Sequence, residues 1–370
     1  MAFAFALTTN EPSVLELDEQ SKQLLPDFVT HAKANGVKAL LSIGGYSGSK
    51  YFSTAVGTPQ NRTTFLKAIV DIAAQYKLDG IDFDWEFPNQ ALLSCNVISE
   101  DDTGNFLELL QELKEDERGA NLTLTAAVPI KPFLGVDGNP LSDVSAFAQV
   151  FDYIAIMAYD VWGPWSKDTG VGLVGPNAPQ EDQCSPSPKG SAQSAIDDWT
   201  KAGFPVDKIF DSKIVLGVPS YGRAYSVTPT EAQKLSFADG KLTEYPEFVS
   251  IPLGQDEEHG TTSNDPCGAP VPSGNGVFDF RGLISAGYLR SDGNAAKGMH
   301  YAFDQCSQTP FLYDSSKQIA VSYEDGASFT SKGDFIARKH LKGFATWDAA
   351  GDLGDILVDA IIKGMQSNVY

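Results

Sequence analysis

The chain has 370 residues, 42% of them hydrophobic and only 20% charged, which excludes a disordered or coiled-coil protein. Its 48 acidic residues against 27 Lys and Arg give a net charge of −21, a field that repels phosphates and anionic headgroups. Nucleic acid and membrane surfaces are therefore poor partners, and neutral or cationic material suits better. No apolar run approaches the roughly 20 residues of a spanning helix. Met1 leads straight into Ala2–Leu7 without a basic leader, and that segment is too short for a signal peptide.

In chain order, apolar runs rich in β-branched and aromatic residues predict strands near 2–7, 37–43, 78–87, 122–128, 153–159, 213–218 and 341–347. Amphipathic patterns over 60–76, 102–117 and 191–202 predict helices between them. Strands apolar on both faces, alternating with helices, imply a parallel sheet covered on both sides. Polar and aromatic residues gather at the strand ends: Ser42, Asp84, Glu86, Tyr159, Asp160, Tyr221 and Trp347. No glycine-rich phosphate fingerprint follows any strand, so a TIM barrel is favoured over an open dinucleotide-binding sheet. Seven strands are predicted where a (β/α)8 barrel needs eight, and the chain begins inside a strand. From 224 to 325 the alternation lapses into Pro- and Gly-rich sequence with frequent aromatics, including Phe278, Phe280, Tyr288, Tyr301 and Phe303. This stretch predicts a small α+β insertion, leaving 1–223 and 326–370 as the barrel.

The most informative segment is Leu78-Asp79-Gly80-Ile81-Asp82-Phe83-Asp84-Trp85-Glu86-Phe87-Pro88. Side chains alternate faces along a strand, so Asp82, Asp84 and Glu86 share one side and Ile81, Phe83, Trp85 and Phe87 the other. Packing the apolar set against helices leaves three carboxylates pointing into the barrel. Like charges at that spacing cannot all ionise cheaply in a low dielectric, so at least one pKa must rise, as a general acid requires. Asp79 has the opposite parity, and a structural role at the strand start is expected of it. A solvated edge strand is the bland alternative. A three-carboxylate metal site is another, but no His lies near the strand, and none is expected here.

This segment resembles the D-x-x-D-x-D-x-E signature of glycoside hydrolase family 18, the chitinases and their relatives, with Asp79, Asp82, Asp84 and Glu86 in its four positions. Ser42-Ile43-Gly44-Gly45 is similar to the family's S-x-G-G, Met157-Ala158-Tyr159-Asp160 to its M-x-Y-D, and Tyr221-Gly222-Arg223 to its Y-G-R. Trp347 resembles the last-strand tryptophan beneath the scissile sugar. The resemblance implies a TIM barrel starting at what looks like the second strand, with the insertion between strands 7 and 8. The texture is that of fungal members.

By the same resemblance Glu86 is the acid, Asp84 orients the substrate's acetamido group, and Asp82 shares its proton. Tyr159 binds the acetamido carbonyl. Asp160, Tyr221, Trp347, Trp162 and Arg223 contact sugar, while Trp165 either lines a subsite or caps a loop. No metal or cofactor is implied. The implied activity is hydrolysis of chitin or chitooligosaccharides by a monomer. The alternatives are a chitin-binding relative with little or no catalysis and an endo-β-N-acetylglucosaminidase acting on N-glycans.

Four cysteines, Cys95, Cys184, Cys267 and Cys306, form no C-x-x-C pair and lie among turn residues. Two disulfides and an oxidising, extracellular location are expected. Three connectivities are open, and Cys95–Cys184 with Cys267–Cys306 is the working pairing. Sequons at Asn61 and Asn121 point the same way.

Overall fold

The computed structural model describes residues 1–167, 172–206, 212–233, 242, 244–257, 263–271 and 274–367. The chain divides into two units, Met1–Ile156 with Asp197–Val215 and Met157–Ile196 with Leu216–Tyr370.

The first unit is built on parallel strands β1 (Ala2–Thr8), β2 (Leu40–Gly44), β3 (Gly80–Asp84), β4 (Thr123–Val128) and β5 (Tyr153–Ile156). Each pairs with the next, β1 with a register shift between Ala4 and Ala6, so that Ala2 faces Leu40, Ser42 faces Asp82, Asp82 faces Thr125, and Thr125 faces Tyr153. β6 (Ile214–Pro219) starts here, where the Ile154 N–H donates to the Lys213 carbonyl at 2.8 Å. Helices α1 (Glu19–Ala34), α2 (Pro59–Tyr76) and α3 (Asp102–Glu115) make the crossovers. Their starts follow from local chemistry. The Asp18 carboxylate caps α1 by accepting the Ser21 N–H at 2.6 Å, and Thr58 caps α2, whose first residue is proline.

The apolar face of the acid-bearing segment packs as its alternation requires. Phe83 and Trp85 are buried, Phe52 stacks on Trp85 at 4.9 Å, and Phe106 meets both Phe83 and Trp85 edge-on at 5.5 Å. Aromatic pairs in these geometries add to the burial of their area. Each such ring anchors one residue between two acids, so the core fixes which way the acids point.

The second unit contains an antiparallel sheet of β7 (Tyr221–Ser226), β8 (Val277–Asp279), β9 (His300–Asp304), β10 (Thr309–Asp314) and β11 (Ile319–Ser322), in the order β8-β7-β11-β10-β9. β7 begins at Tyr221, so an inner strand of this sheet, paired with β8 on one side and β11 on the other, grows directly out of the Tyr-Gly-Arg segment. β12 (Gly343–Trp347) ends beside Ser220, whose N–H donates to the Trp347 carbonyl at 2.9 Å. Helix α4 (Gly326–Arg338) starts with a capping box of Asp325 and Ser328, and α5 (Ile356–Gln366) packs on it.

Cys184 is bonded to Cys306, which corrects the working pairing, and both lie in the second unit. The physical reason is local: the Gln180 N–H donates to the Ser307 carbonyl at 2.8 Å, which brings these two turns together. Cys95 and Cys267 are oxidised as well, and there is no free thiol.

Candidate active site

Asp82 and Asp84 lie two residues apart on β3, Glu86 follows two residues past its end, and Asp84 feels the charge of both others. Asp82 sits in the middle of β3 and accepts from both neighbouring strands: Ser42 Oγ donates to its Oδ2 at 2.7 Å, and Thr125 Oγ1 donates to its Oδ1. Burial pushes the Asp82 carboxyl above the ordinary Asp range, and the two hydroxyls pull it back. Asp84, the last residue of the strand, is buried, and its Oδ1 has no hydrogen-bond partner among the described residues. Its carboxyl is held well above the ordinary range, first by burial, then by the charges of Glu86 and Asp82. Glu86 lies two residues further on and is partly exposed. The series therefore runs from a hydroxyl-clamped acid, through one that favours its proton, to one reaching solvent.

The backbone at this point needs special support, because the ladder ends at Asp84 opposite Gly44. Gly44 has φ of +111°, and a Cβ there would lie 2.2 Å from the Asp84 carbonyl oxygen, so only glycine allows the approach. Ser49, wholly buried, then takes over from the missing strand. Its Oγ accepts the Glu86 N–H at 2.9 Å and lies 3.0 Å from the Asp84 carbonyl and 2.9 Å from that of Gly45. Nothing in the sequence singled out Ser49.

Asp79 is where its parity places it, at the strand start. It accepts the Ala39 N–H at 2.9 Å and pairs with Lys33 at 3.1 Å. Burial alone would raise its carboxyl, but these partners hold it below the ordinary range. Its role is structural.

The second unit brings together Tyr159, Asp160, Tyr221 and Arg223. The Tyr159 and Tyr221 rings meet edge to face, with centroids 6.2 Å apart. The predicted strand through Tyr159 stops at Ile156, and Asp160 takes a left-handed backbone at φ of +54°, a conformation Asp tolerates better than most residues. Arg223 donates to Asp160 Oδ1 through both Nε, at 3.1 Å, and Nη2. Its guanidinium also stands 4.8 Å from the Trp165 ring centroid and 5.8 Å from that of Tyr221. Burial first, and the nearby Asp160 carboxylate second, raise the Tyr221 hydroxyl well above the ordinary tyrosine range. It remains a neutral hydroxyl.

A buried amide holds this group from behind. Asn177 Oδ1 accepts the Asp160 N–H at 3.2 Å, and its Nδ2 donates to the Tyr221 carbonyl at 3.3 Å. Sequence reasoning missed this residue too, since its partners are backbone atoms far along the chain.

The tryptophans divide. Trp347 is 41% and Trp165 43% exposed, whereas Trp162 is only 2% exposed. Tyr245 packs on the Trp162 ring at 5.5 Å, and Lys189 Nζ stands 5.5 Å from its centroid. Trp162 thus departs from the expectation of a sugar-contacting ring, because packing encloses it. Trp165 has the open surface instead.

Among the described residues no cluster of His, Cys, Asp or Glu has the arrangement of a metal site, and no helix is long and apolar enough to cross a membrane.

Comparison with known proteins agrees with this geometry. The chain matches the sequence model of glycosyl hydrolases family 18 over residues 1–352. It is 46% identical over 369 residues to a protein of Moniliophthora roreri described as a chitinase-like effector, covering 98% of this chain and 86% of that one. A chitinase-like effector of Moniliophthora perniciosa is 43% identical over 370 residues, covering 98% of this chain and 81% of that one. The crystal structure of a chitinase from Rhizomucor miehei superposes with a TM-score of 0.83 at 30% identity, covering 99% of this chain and 94% of that one. With the acid ladder on β3 and a match running through nearly all of the chain, this sequence belongs to glycosyl hydrolase family 18 and has that family's TIM-barrel fold with an added antiparallel sheet.

Proposed function

We propose that the chain is a retaining chitinase that cleaves β-1,4-linked N-acetylglucosamine polymers using the substrate's own acetamido group as nucleophile. The observation that carries this reading is the Asp84 carboxyl, buried with one oxygen that no described residue hydrogen-bonds, two residues before the partly exposed Glu86. Glu86 donates its proton to the glycosidic oxygen as the bond breaks. The acetamido carbonyl oxygen attacks the anomeric carbon of its own sugar, and the bond to the leaving sugar's oxygen breaks, giving a bicyclic oxazolinium ion. An intramolecular nucleophile of this kind has a large effective molarity, so the enzyme supplies none.

Asp84 accepts the acetamido N–H and stabilises the positive charge, while Asp82 shares a proton with it. The Tyr159 hydroxyl donates to the acetamido carbonyl oxygen. Asp160, Tyr221 and Arg223 hold the distorted sugar. Trp347 offers an open ring for the apolar face of a pyranose, and Trp165 takes the outer subsite in place of Trp162. Glu86, now a carboxylate, removes a proton from the incoming water, which opens the oxazolinium ring with overall retention.

The test is fluorophore release from a chitooligosaccharide glycoside. Turnover in the wild type that falls by at least about 10²-fold in Glu86→Gln, with binding kept, supports the reading. A second reading is oligosaccharide binding without turnover, favoured by the description of the two Moniliophthora relatives as chitinase-like effectors. Binding by calorimetry with no release from either protein selects it. Release from an N-glycan but not from chitooligosaccharides selects an endo-β-N-acetylglucosaminidase. The disulfide-bonded cysteines support an extracellular location.

A further inference from the structure

We propose that Ser49 is a positioning residue for the acid pair, holding Asp84 and Glu86 at their mutual spacing through the backbone on either side of Trp85. The inference rests on the chitinase reading and adds a residue to it. Strand β3 loses its ladder partner at Gly44, yet the side chains that matter most are those of its last residue and of Glu86, two positions on. A strand end without ladder bonds can change its pitch, and a small rotation there swings two carboxyls apart. Ser49 removes that freedom. One buried hydroxyl accepts the Glu86 N–H at 2.9 Å and lies 3.0 Å from the Asp84 carbonyl, so a single atom spans the acid pair. The same oxygen lies 2.9 Å from the Gly45 carbonyl, which ties it to the turn after β2.

Other features do not explain this arrangement as ordinary packing. Trp85 is already fixed on the far side by Phe52 and Phe106, so the outer face of the segment needs no help from Ser49. The hydroxyl acts on the peptide groups that carry the acids. Asn96 Nδ2, donating to the Glu86 carbonyl at 3.1 Å, continues the same support one atom group further.

The test compares wild type, Ser49→Ala, Ser49→Thr and Glu86→Gln in oligosaccharide hydrolysis, with thermal melting of each. Displacement of a reacting group by an ångström costs on the order of 10²-fold, so Ser49→Ala is expected to lower kcat about 10- to 100-fold. KM stays within about twofold, because the tyrosine, arginine and tryptophan contacts to sugar lie on other segments. Ser49→Thr, which keeps the hydroxyl, recovers most of the loss. Unchanged kcat in Ser49→Ala overturns the inference. So does a joint change in kcat and KM that tracks a lowered melting point without recovery by threonine, since that marks a merely structural residue. A wild type as inactive as Glu86→Gln overturns the chitinase reading itself, and this inference with it. A wild type that turns over while Ser49→Ala matches it overturns only the role of Ser49.

Discussion

Arg223 directs two N–H donors, from Nε and Nη2, onto one oxygen of Asp160, Oδ1. The pair is unequal in its surroundings: the Arg223 side chain is 11% exposed and that of Asp160 42%. Removing the arginine leaves a carboxylate that water can reach. Removing the aspartate leaves a cation largely enclosed by Trp165 and Tyr221, with no partner of opposite charge in this group. Asp160→Ala is therefore expected to cost about 2–4 kcal/mol, and Arg223→Met about 1 kcal/mol or less. Urea denaturation of the two variants checks the order. Equal losses, or a greater loss in Arg223→Met, refute the argument.

Asp84 links stability to pH with a sign opposite to that of most carboxylates. Its pKa in the folded chain is raised, first by burial and then by Glu86 and Asp82, above the ordinary 3.8 of an unfolded Asp. Above that value the folded state binds a proton that the unfolded chain has released, so stability falls as pH rises through the window. Asp82 has the same sign. Asp84→Asn abolishes the Asp84 contribution. The variant is expected to match the wild type near pH 4 and to exceed it by a margin that grows toward pH 8, while losing at least about 10²-fold in kcat. Denaturation midpoints from pH 4 to 8 decide. A difference that does not grow with pH counts against a raised Asp84.

What was legible in the sequence follows a simple divide. The acid face of β3 was readable because Ile81, Phe83 and Trp85 alternate with the carboxyls, and period two has one physical meaning in a strand. All seven predicted strands form for the same reason, as short β-branched and aromatic runs between helical patterns. Ser49 and Asn177 were not readable, since each works through backbone atoms that any residue type supplies. The choice between Trp162 and Trp165 was also hidden. A Cβ on Gly175 would lie 2.3 Å from the Trp162 ring, so a distant glycine and Tyr245 decide which indole is enclosed. The cysteine pairing failed likewise, because it depends on turns that meet only after folding.

Asn177 provides a test of that hidden layer. It is buried, takes the Asp160 N–H on Oδ1, gives Nδ2 to the Tyr221 carbonyl, and gives its own N–H to Ser322 Oγ at 3.0 Å. Asn177→Asp keeps the shape but replaces the donor by an acceptor facing a carbonyl. It is expected to cost about 1–3 kcal/mol, the range for a buried polar group left unsatisfied. KM for chitooligosaccharides rises about threefold to tenfold, because Asp160 and Tyr221 lose a shared anchor. Denaturation and steady-state kinetics together check it. Unaltered KM in a destabilised variant confines Asn177 to the fold.

The Cys184–Cys306 bond closes a loop across 122 positions of sequence within the second unit. Loop-closure entropy in the unfolded chain grows with the logarithm of loop length, so a bridge of this span is worth about 2–5 kcal/mol where its geometry fits the fold. The turns that it joins carry hydrogen bonds of their own. Cys306 donates its N–H to Asp304 Oδ1 at 2.9 Å, Ser307 donates to the same carboxylate, and Gln180 bonds to the Ser307 carbonyl at 2.8 Å. The turns would thus meet without the sulfurs, and the bond then limits the unfolded ensemble more than it shapes the native one. The double substitution Cys184→Ser, Cys306→Ser is expected to fold, to keep kcat within about twofold, and to lose about 2–5 kcal/mol in urea denaturation. Non-reducing peptide mapping of the wild type checks the pairing directly. Recovery of a Cys95–Cys184 peptide would break the assignment, and loss of kcat in a folded double variant would show that the bond reaches the site.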